Sequence, residues 1–213
     1  MKRKLMGIAE AVLLALVVLA GAIAVPVLCR PFFYLHIGPL GLVDAVGLTT
    51  EQVKTAYNEM MDFCIGLTDV FSVGALRFSQ FGAAHFADVR KLFVLDLRVL
   101  AMAAVLLMVV KLLQRRNSVK LLGHTPGFWS AVGLGVTFSV VGILAALDFE
   151  RAFTVFHKLF FPGKTNWEFV PRLDPVILML PEAFFRNCAI LILALLLIGC
   201  GLLLIWDRKV RRK

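Results

Sequence analysis

Four stretches of this 213-residue chain, approximately residues 7–28, 92–113, 128–147 and 187–206, each approach or exceed the roughly 20 apolar residues that cross a bilayer. Hydrophobic residues make up 60% of the sequence, so little is left for a separate soluble domain. The runs predict an all-α membrane protein with four transmembrane helices. They are read as a single membrane domain over residues 1–213, with elaborated loops at about 29–91 and 148–186. No internal repeat or low-complexity linker breaks the pattern.

Charge sets the orientation. Lys2, Arg3, Lys4, Lys111, Arg115, Arg116, Lys120, Arg208, Lys209, Arg211, Arg212 and Lys213 supply 12 of the 23 basic residues in three short flanks. In a four-span chain these flanks share one side, and the positive-inside rule makes it the cytoplasm. Both termini are therefore expected inside, with the two long loops forming a small extracellular cap. Of the acidic residues only Glu10 and Asp207 fall on the basic side, so the formal +9 is cytoplasmic. The pI near 9.8 then reports topology and contact with anionic membrane lipid rather than nucleic-acid binding. Lys-Arg-Lys before an apolar run also opens a signal peptide, but this run is too long for a signal core. Val-Pro-Val-Leu-Cys29 carries a bulky Leu28 where lipoprotein processing needs a small residue, so the first span is expected to be retained.

The loops have structure of their own. Thr49 and Gln52 form a capping box that predicts a helix burying Val53, Ala56, Tyr57, Met60, Met61 and Cys64. Phe149, Phe153, Phe156 and Phe160 repeat as an aromatic helical stripe, bordered by His157 and ended by Pro162-Gly163. Cys29 and Cys64 lie outside, as free thiols or as a pair; no C-x-x-C occurs, which argues against a thiol oxidoreductase.

Three histidines, His36, His85 and His157, lie on the outer side. His36 is read as a headgroup-level anchor, and His124, in the cytoplasmic connection, as an interfacial residue without a chemical role. Asp88 follows His85 at i+3, on the same helical face, where a carboxylate can orient an imidazole. With Asp174 and Glu182 these groups are numerous enough for a metal site. No two histidines share a zinc-type spacing, however, so neither metal nor other cofactor is expected. Ser72, Ser79 and Cys64 stand in no nucleophile motif.

Two blocks carry a resemblance. Phe78-Ser79 with His85-Phe86-Ala87-Asp88-Val89-Arg90, and Phe156-His157-Lys158-Leu159-Phe160-Phe161 with Trp167, Asp174-Pro175 and Leu180-Pro181-Glu182-Ala183-Phe184-Phe185, resemble the signature blocks of the bacterial lipoprotein intramolecular transacylase family. The resemblance covers nearly the whole chain and implies four spans with an extracellular cap in a bacterial cell membrane. The first block departs from the family pattern at Gln80-Phe81-Gly82, where a more charged stretch with a glutamate three residues before the histidine is expected.

The resemblance implies that a diacylated bacterial lipoprotein is the substrate. Its sn-2 acyl chain would move to its own N-terminal cysteine amine, giving the lyso form. An α-amine with a pKa of about 7.7–8 is partly neutral at physiological pH, and ester aminolysis is favourable. The enzyme then supplies confinement, with an effective molarity on the order of 10⁵ M or more, and proton transfer by imidazole. His85 and His157 are the expected catalytic pair. Asp88 is expected to orient His85. Phe156 and Trp167 would wall the site, with Trp167 alternatively seated at the headgroups; Glu182 would bind the amine or complement a helix N-terminus; and Asp174, a substrate-binding candidate with Asp88, also reads with Pro175 as an N-cap and first-turn proline. Arg98, just inside the second span, is a candidate for a substrate-facing network. Two other readings stand beside this one. One is a non-enzymatic transporter subunit or assembly factor with a partner-binding cap, although the third and fourth spans carry almost no polar residues. The other is an acyltransferase with separate donor and acceptor lipids.

Overall fold

The structure is a computed structural model that describes residues 2–114 and 119–212. Arg115, Arg116 and Lys213 of the basic flanks lie outside the described residues. Among the described residues there are nine helices and no β-strand. Four of the helices are long and apolar enough to cross a membrane: α1 (Lys2–Leu28), α5 (Gln80–Gln114), α6 (Pro126–Leu147) and α9 (Glu182–Arg211). They contain the four predicted runs and extend past them. The largest extension is at α5, which starts about three turns before its apolar run and so carries His85 and Asp88 on the same rigid rod. Large apolar side chains point outward from these helices, among them Met102 and Leu112 on α5, Val136 and Ile143 on α6 and Leu202 on α9. Such faces suit lipid as solvent, because each helix satisfies its own backbone groups.

The chain divides into two compact units. The first comprises Met1–Val25, Asp96–Ile143 and Leu191–Lys213. Its core is made by Ala22, Ala131, Leu196 and Cys200, with Val18, Phe138 and Leu203 packed on them. Small residues at these contacts let helices approach where no hydrophobic force drives them together. Two buried carboxylates in this unit are partnered: Glu10 takes Lys111 and Gln114. Asp207 accepts the Thr125 N–H at 2.7 Å and pairs with His124 Nδ1 at 2.9 Å. His124 is thus a partner of a buried carboxylate, beyond the interfacial role expected for it.

The second unit comprises Pro26–Leu95 and Leu144–Ile190, and so contains both predicted loops. It adds α2 (Arg30–Ile37), α3 (Leu42–Val46), α4 (Thr50–Cys64), α7 (Phe149–Phe160) and α8 (Val176–Met179). The capping box at α4 is formed, with the Gln52 N–H on Thr49 Oγ1 at 3.3 Å and the Thr49 N–H on Gln52 Oε1 at 2.9 Å. The six predicted inward residues are all buried, joined by Phe63. Tyr57 stacks on Phe33 at 3.7 Å between ring centroids, and Phe184 meets Phe33 edge-on at 5.3 Å. Arginines fasten the connections: Arg30 to the Asn58 carbonyl and Asp62, and Arg90 to the Thr68 carbonyl and Asp69. Cys29 and Cys64 stand as free thiols. Helix α7 is capped by Asp148, whose carboxylate accepts the Arg151 N–H at 2.9 Å. It stops at Phe161-Pro162-Gly163, where Gly163 adopts φ +73°.

Candidate active site

Within the second unit, the start of α5, the last turns of α7 and the connection 161–175 converge on two imidazoles. A clamp holds the connection in place. Ser79 caps α5 by accepting the Gly82 N–H at 2.9 Å, and its hydroxyl donates to Asp174 Oδ2 at 2.8 Å while its own N–H donates to Asp174 Oδ1 at 2.7 Å. Asp174 was expected to cap the following helix through its side chain. Instead Pro175 occupies the cap position of α8, and the carboxylate is drawn 95 residues back along the chain to Ser79. Gly82 makes the approach possible, because a Cβ there would lie 2.3 Å from Asp174 Oδ1 and 3.1 Å from the Phe169 ring. The space a side chain at position 82 would need is filled by the carboxylate.

The clamp sets Asn166, Trp167 and Phe169 beside the helices. His157 is 7% exposed and its ring is stacked on Trp167 at 4.7 Å and 28°, with Phe153 at 4.2 Å and Phe156 edge-on at 5.4 Å. Its Nδ1 lies 2.8 Å from the Phe153 carbonyl. A carbonyl can only accept, so Nδ1 carries the hydrogen and the neutral ring has its lone pair at Nε2. Burial pushes the His157 pKa below the ordinary imidazole value, partly opposed by that same hydrogen bond, so the ring is neutral and basic at physiological pH. His85, 5% exposed, sits 5.9 Å from His157 between ring centroids, with Phe161 at 5.0 Å and Phe169 at 5.4 Å edge-on. Two imidazoles 72 positions apart in sequence thus share one aromatic cage.

Asp88 does not hydrogen-bond to His85. One oxygen takes Lys91 at 3.0 Å, and the other takes Lys164 and the Asn166 amide, the latter at 3.3 Å. Spacing at i+3 puts Asp88 and His85 on one face, but two ammonium groups outcompete a neutral ring for a carboxylate. Phe156 packs on His157 and Phe160, and Trp167 also donates its indole N–H to the Lys164 carbonyl at 3.0 Å. Glu182, at the start of α9, is half-exposed, and its one ion pair among the described residues is with Arg186 at 4.0 Å. Arg98 is exposed on α5, in the first unit, and forms no ion pair among the described residues.

Sequence reasoning gave no role to Phe161, although it closes the second signature block, and missed Lys164, Asn166 and Phe169. These three have no motif spacing, and only adjacency to Trp167 marked the segment. No three His, Cys, Asp or Glu side chains among the described residues stand together as a metal set. The candidate nucleophiles are committed or inert. Ser72 donates to Glu59 at 2.6 Å, Ser79 belongs to the clamp, and burial pushes the Cys64 thiol up to about 12. What remains is a pair of imidazoles walled by aromatic rings, groups that can take up and release a proton.

The family model described as lipoprotein intramolecular transacylase Lit matches residues 8–185. The in meso structure of the membrane integral lipoprotein intramolecular transacylase Lit from Bacillus cereus is similar at a TM-score of 0.90 and 24% identity, over 99% of this chain and 96% of that chain. A variant of the Bacillus cereus protein with an H85R mutation is similar at a TM-score of 0.81 and 25% identity, over 99% and 92% of the respective chains. No curated protein sequence matches the chain.

Proposed function

Because the chain belongs to the lipoprotein intramolecular transacylase family, and is an integral membrane acyltransferase, we propose that it transfers the sn-2 acyl chain of a diacylglyceryl-cysteine lipoprotein to that cysteine's own amine. The observation that carries the reading is the His85–His157 pair in its aromatic cage, with Nδ1 of His157 engaged and Nε2 left as a base. Family membership replaces the reading as a transporter subunit or assembly factor.

The steps balance without an acyl-enzyme. The neutral amine attacks the ester carbonyl, the new N–C bond forms, and the glyceryl O–C bond breaks. An imidazole takes the proton lost by nitrogen and returns one to the leaving glyceryl oxygen. Trp167, Phe153, Phe156 and Phe161 hold the head group so that amine and ester meet, which is the larger contribution on offer. Asp88, neutralised by Lys91 and Lys164, keeps the connection against α5.

The reaction is an isomerisation, so intact mass does not change. Fragmentation of the N-terminal lipopeptide after incubation with purified protein tests it. The expected product carries an amide-linked chain on cysteine and a free glyceryl hydroxyl. A peptide that keeps its free amine would remove the proposal.

A pH dependence follows from His157. Burial holds its pKa below the ordinary imidazole value, so the ring is already the neutral base where the substrate amine titrates, and the acid limb belongs to that amine. Log rate is expected to rise with unit slope and level off at about pH 7.7–8. A maximum near pH 6.5 with losses on both sides would instead require one imidazolium in the resting site.

We also infer that the second unit faces outward as a cap, from the basic residues at α5, α9 and the N-terminus. A membrane-impermeant thiol reagent applied to intact cells should label Glu51→Cys on α4 and miss Lys209→Cys on α9. The reverse pattern would put the site on the wrong side for a lipoprotein.

A further inference from the structure

Two sealed polar atoms in the site have no hydrogen-bond partner among the described residues: Nδ1 of His85 and Oδ1 of Asn166. Asn166 is 7% exposed, and its other amide atom, Nδ2, donates to Asp88 Oδ2 at 3.3 Å. The ionised carboxylate can only accept, so the amide is fixed with its nitrogen toward Asp88 and its oxygen away from it. That oxygen in turn can only accept. The Asn166 amide lies near enough to the His85 ring to favour its protonated form, and Nδ1 of that ring is the other atom without a partner. One arrangement would satisfy both atoms, a hydrogen on Nδ1 donated to Oδ1.

We propose that Asn166 is the positioning residue of His85: held by Asp88, its Oδ1 takes the Nδ1 hydrogen and leaves Nε2 as the lone-pair nitrogen. His157 has the same tautomer imposed by the Phe153 carbonyl, so both rings offer an Nε2 lone pair. Asp88 then reaches His85 through an amide rather than directly, and Lys91 and Lys164 fix the carboxylate that fixes the amide. A ring held in one tautomer and one orientation is ready for proton transfer without reorganisation. The charged and titratable groups around His85 are His157 from α7, Asp88 and Lys91 from α5 itself and Lys164 from the connection; its other neighbours, Phe86, Phe161 and Phe169, are uncharged.

The role rests on the transacylase reading for its effect on rate, but the tautomer is measured without activity. The test uses the full-length protein in lipid nanodiscs with ¹⁵N-labelled histidine, with the His85 signals assigned by their loss in His85→Asn. The parent should show His85 as the Nδ1–H tautomer, and Asn166→Leu should shift it toward Nε2–H. Conversion at saturating substrate should fall about 10–100-fold in that variant with half-saturation little changed. Asn166→Asp keeps an acceptor beside the ring and makes it anionic, so it should retain the tautomer and move the titration midpoint of His85 upward. If the leucine variant does not fold, that midpoint decides. An Nε2–H ring in the parent, an unchanged tautomer in Asn166→Leu, or an unmoved midpoint in Asn166→Asp would overturn the proposal. A changed tautomer with undiminished conversion would leave the positioning intact and instead remove His85 from the reaction.

Discussion

His85→Asn and His157→Asn are each expected to lower conversion by about 10²–10⁴-fold, the range of a lost proton-transfer group, with expression and melting close to the parent. Asparagine retains much of the ring's bulk and hydrogen-bonding capacity, so the aromatic cage should stay closed around it. The rings lie 5.9 Å apart and serve one transfer, so the double variant should be little worse than either single one. Steady-state conversion and thermal melting of the three variants check this. Near-parental conversion by one of them would remove that histidine, and losses that multiply would assign the two rings to separate steps.

Gly82→Ala is expected to have the second largest effect, through the clamp. The added methyl would lie 2.3 Å from Asp174 Oδ1, and that oxygen is held by the Ser79 N–H. Making room means pulling the carboxylate off Ser79, and hydrogen bonds to a charged group contribute about 1.5–3 kcal/mol each. The connection bearing Asn166, Trp167 and Phe169 would then lose its hold beside α5. Gly82→Ala should therefore melt well below the parent and lose conversion together with structure. Ser79→Ala keeps the backbone N–H on Asp174 but loses the hydroxyl bond to it, about 1.5–3 kcal/mol, and the cap, about 1 kcal/mol, so it should still convert substrate with a lower melting temperature. If Gly82→Ala melts with the parent, the clamp does not hold the connection. If well-folded Ser79→Ala is inactive, a serine nucleophile returns to the mechanism.

The sequence and the structure agree where the signal is local. Four apolar runs predict four long helices because bilayer thickness sets a length that no soluble pattern imitates, and Thr49-x-x-Gln52 predicts α4 because both capping bonds lie within one turn. The two histidines stood out through the phenylalanine stripe and the two signature blocks. Other parts of the site depend on which distant group reaches a side chain first. Asp88 was read toward His85 because they share a face of α5, and it is instead taken by Lys164, 76 positions away. Asp174 was read as a local cap, and it is drawn to Ser79, 95 positions away. Asn166 carried no signal at all, since a single amide between Thr165 and Trp167 has no period or spacing. Its relevance arises only once Asp88 fixes its orientation and leaves its oxygen sealed.

The central claim is that one molecule supplies both the acyl chain and the amine that receives it. A crossover experiment measures this directly. Two diacylated lipopeptides of different peptide mass, one bearing deuterated sn-2 chains and the other unlabelled ones, are mixed with the purified protein, and the N-terminal products are fragmented. The account predicts that every N-linked chain carries the isotope of its own peptide. Deuterated chains on the unlabelled peptide would show separate donor and acceptor molecules, and would contradict intramolecular transfer between His85 and His157.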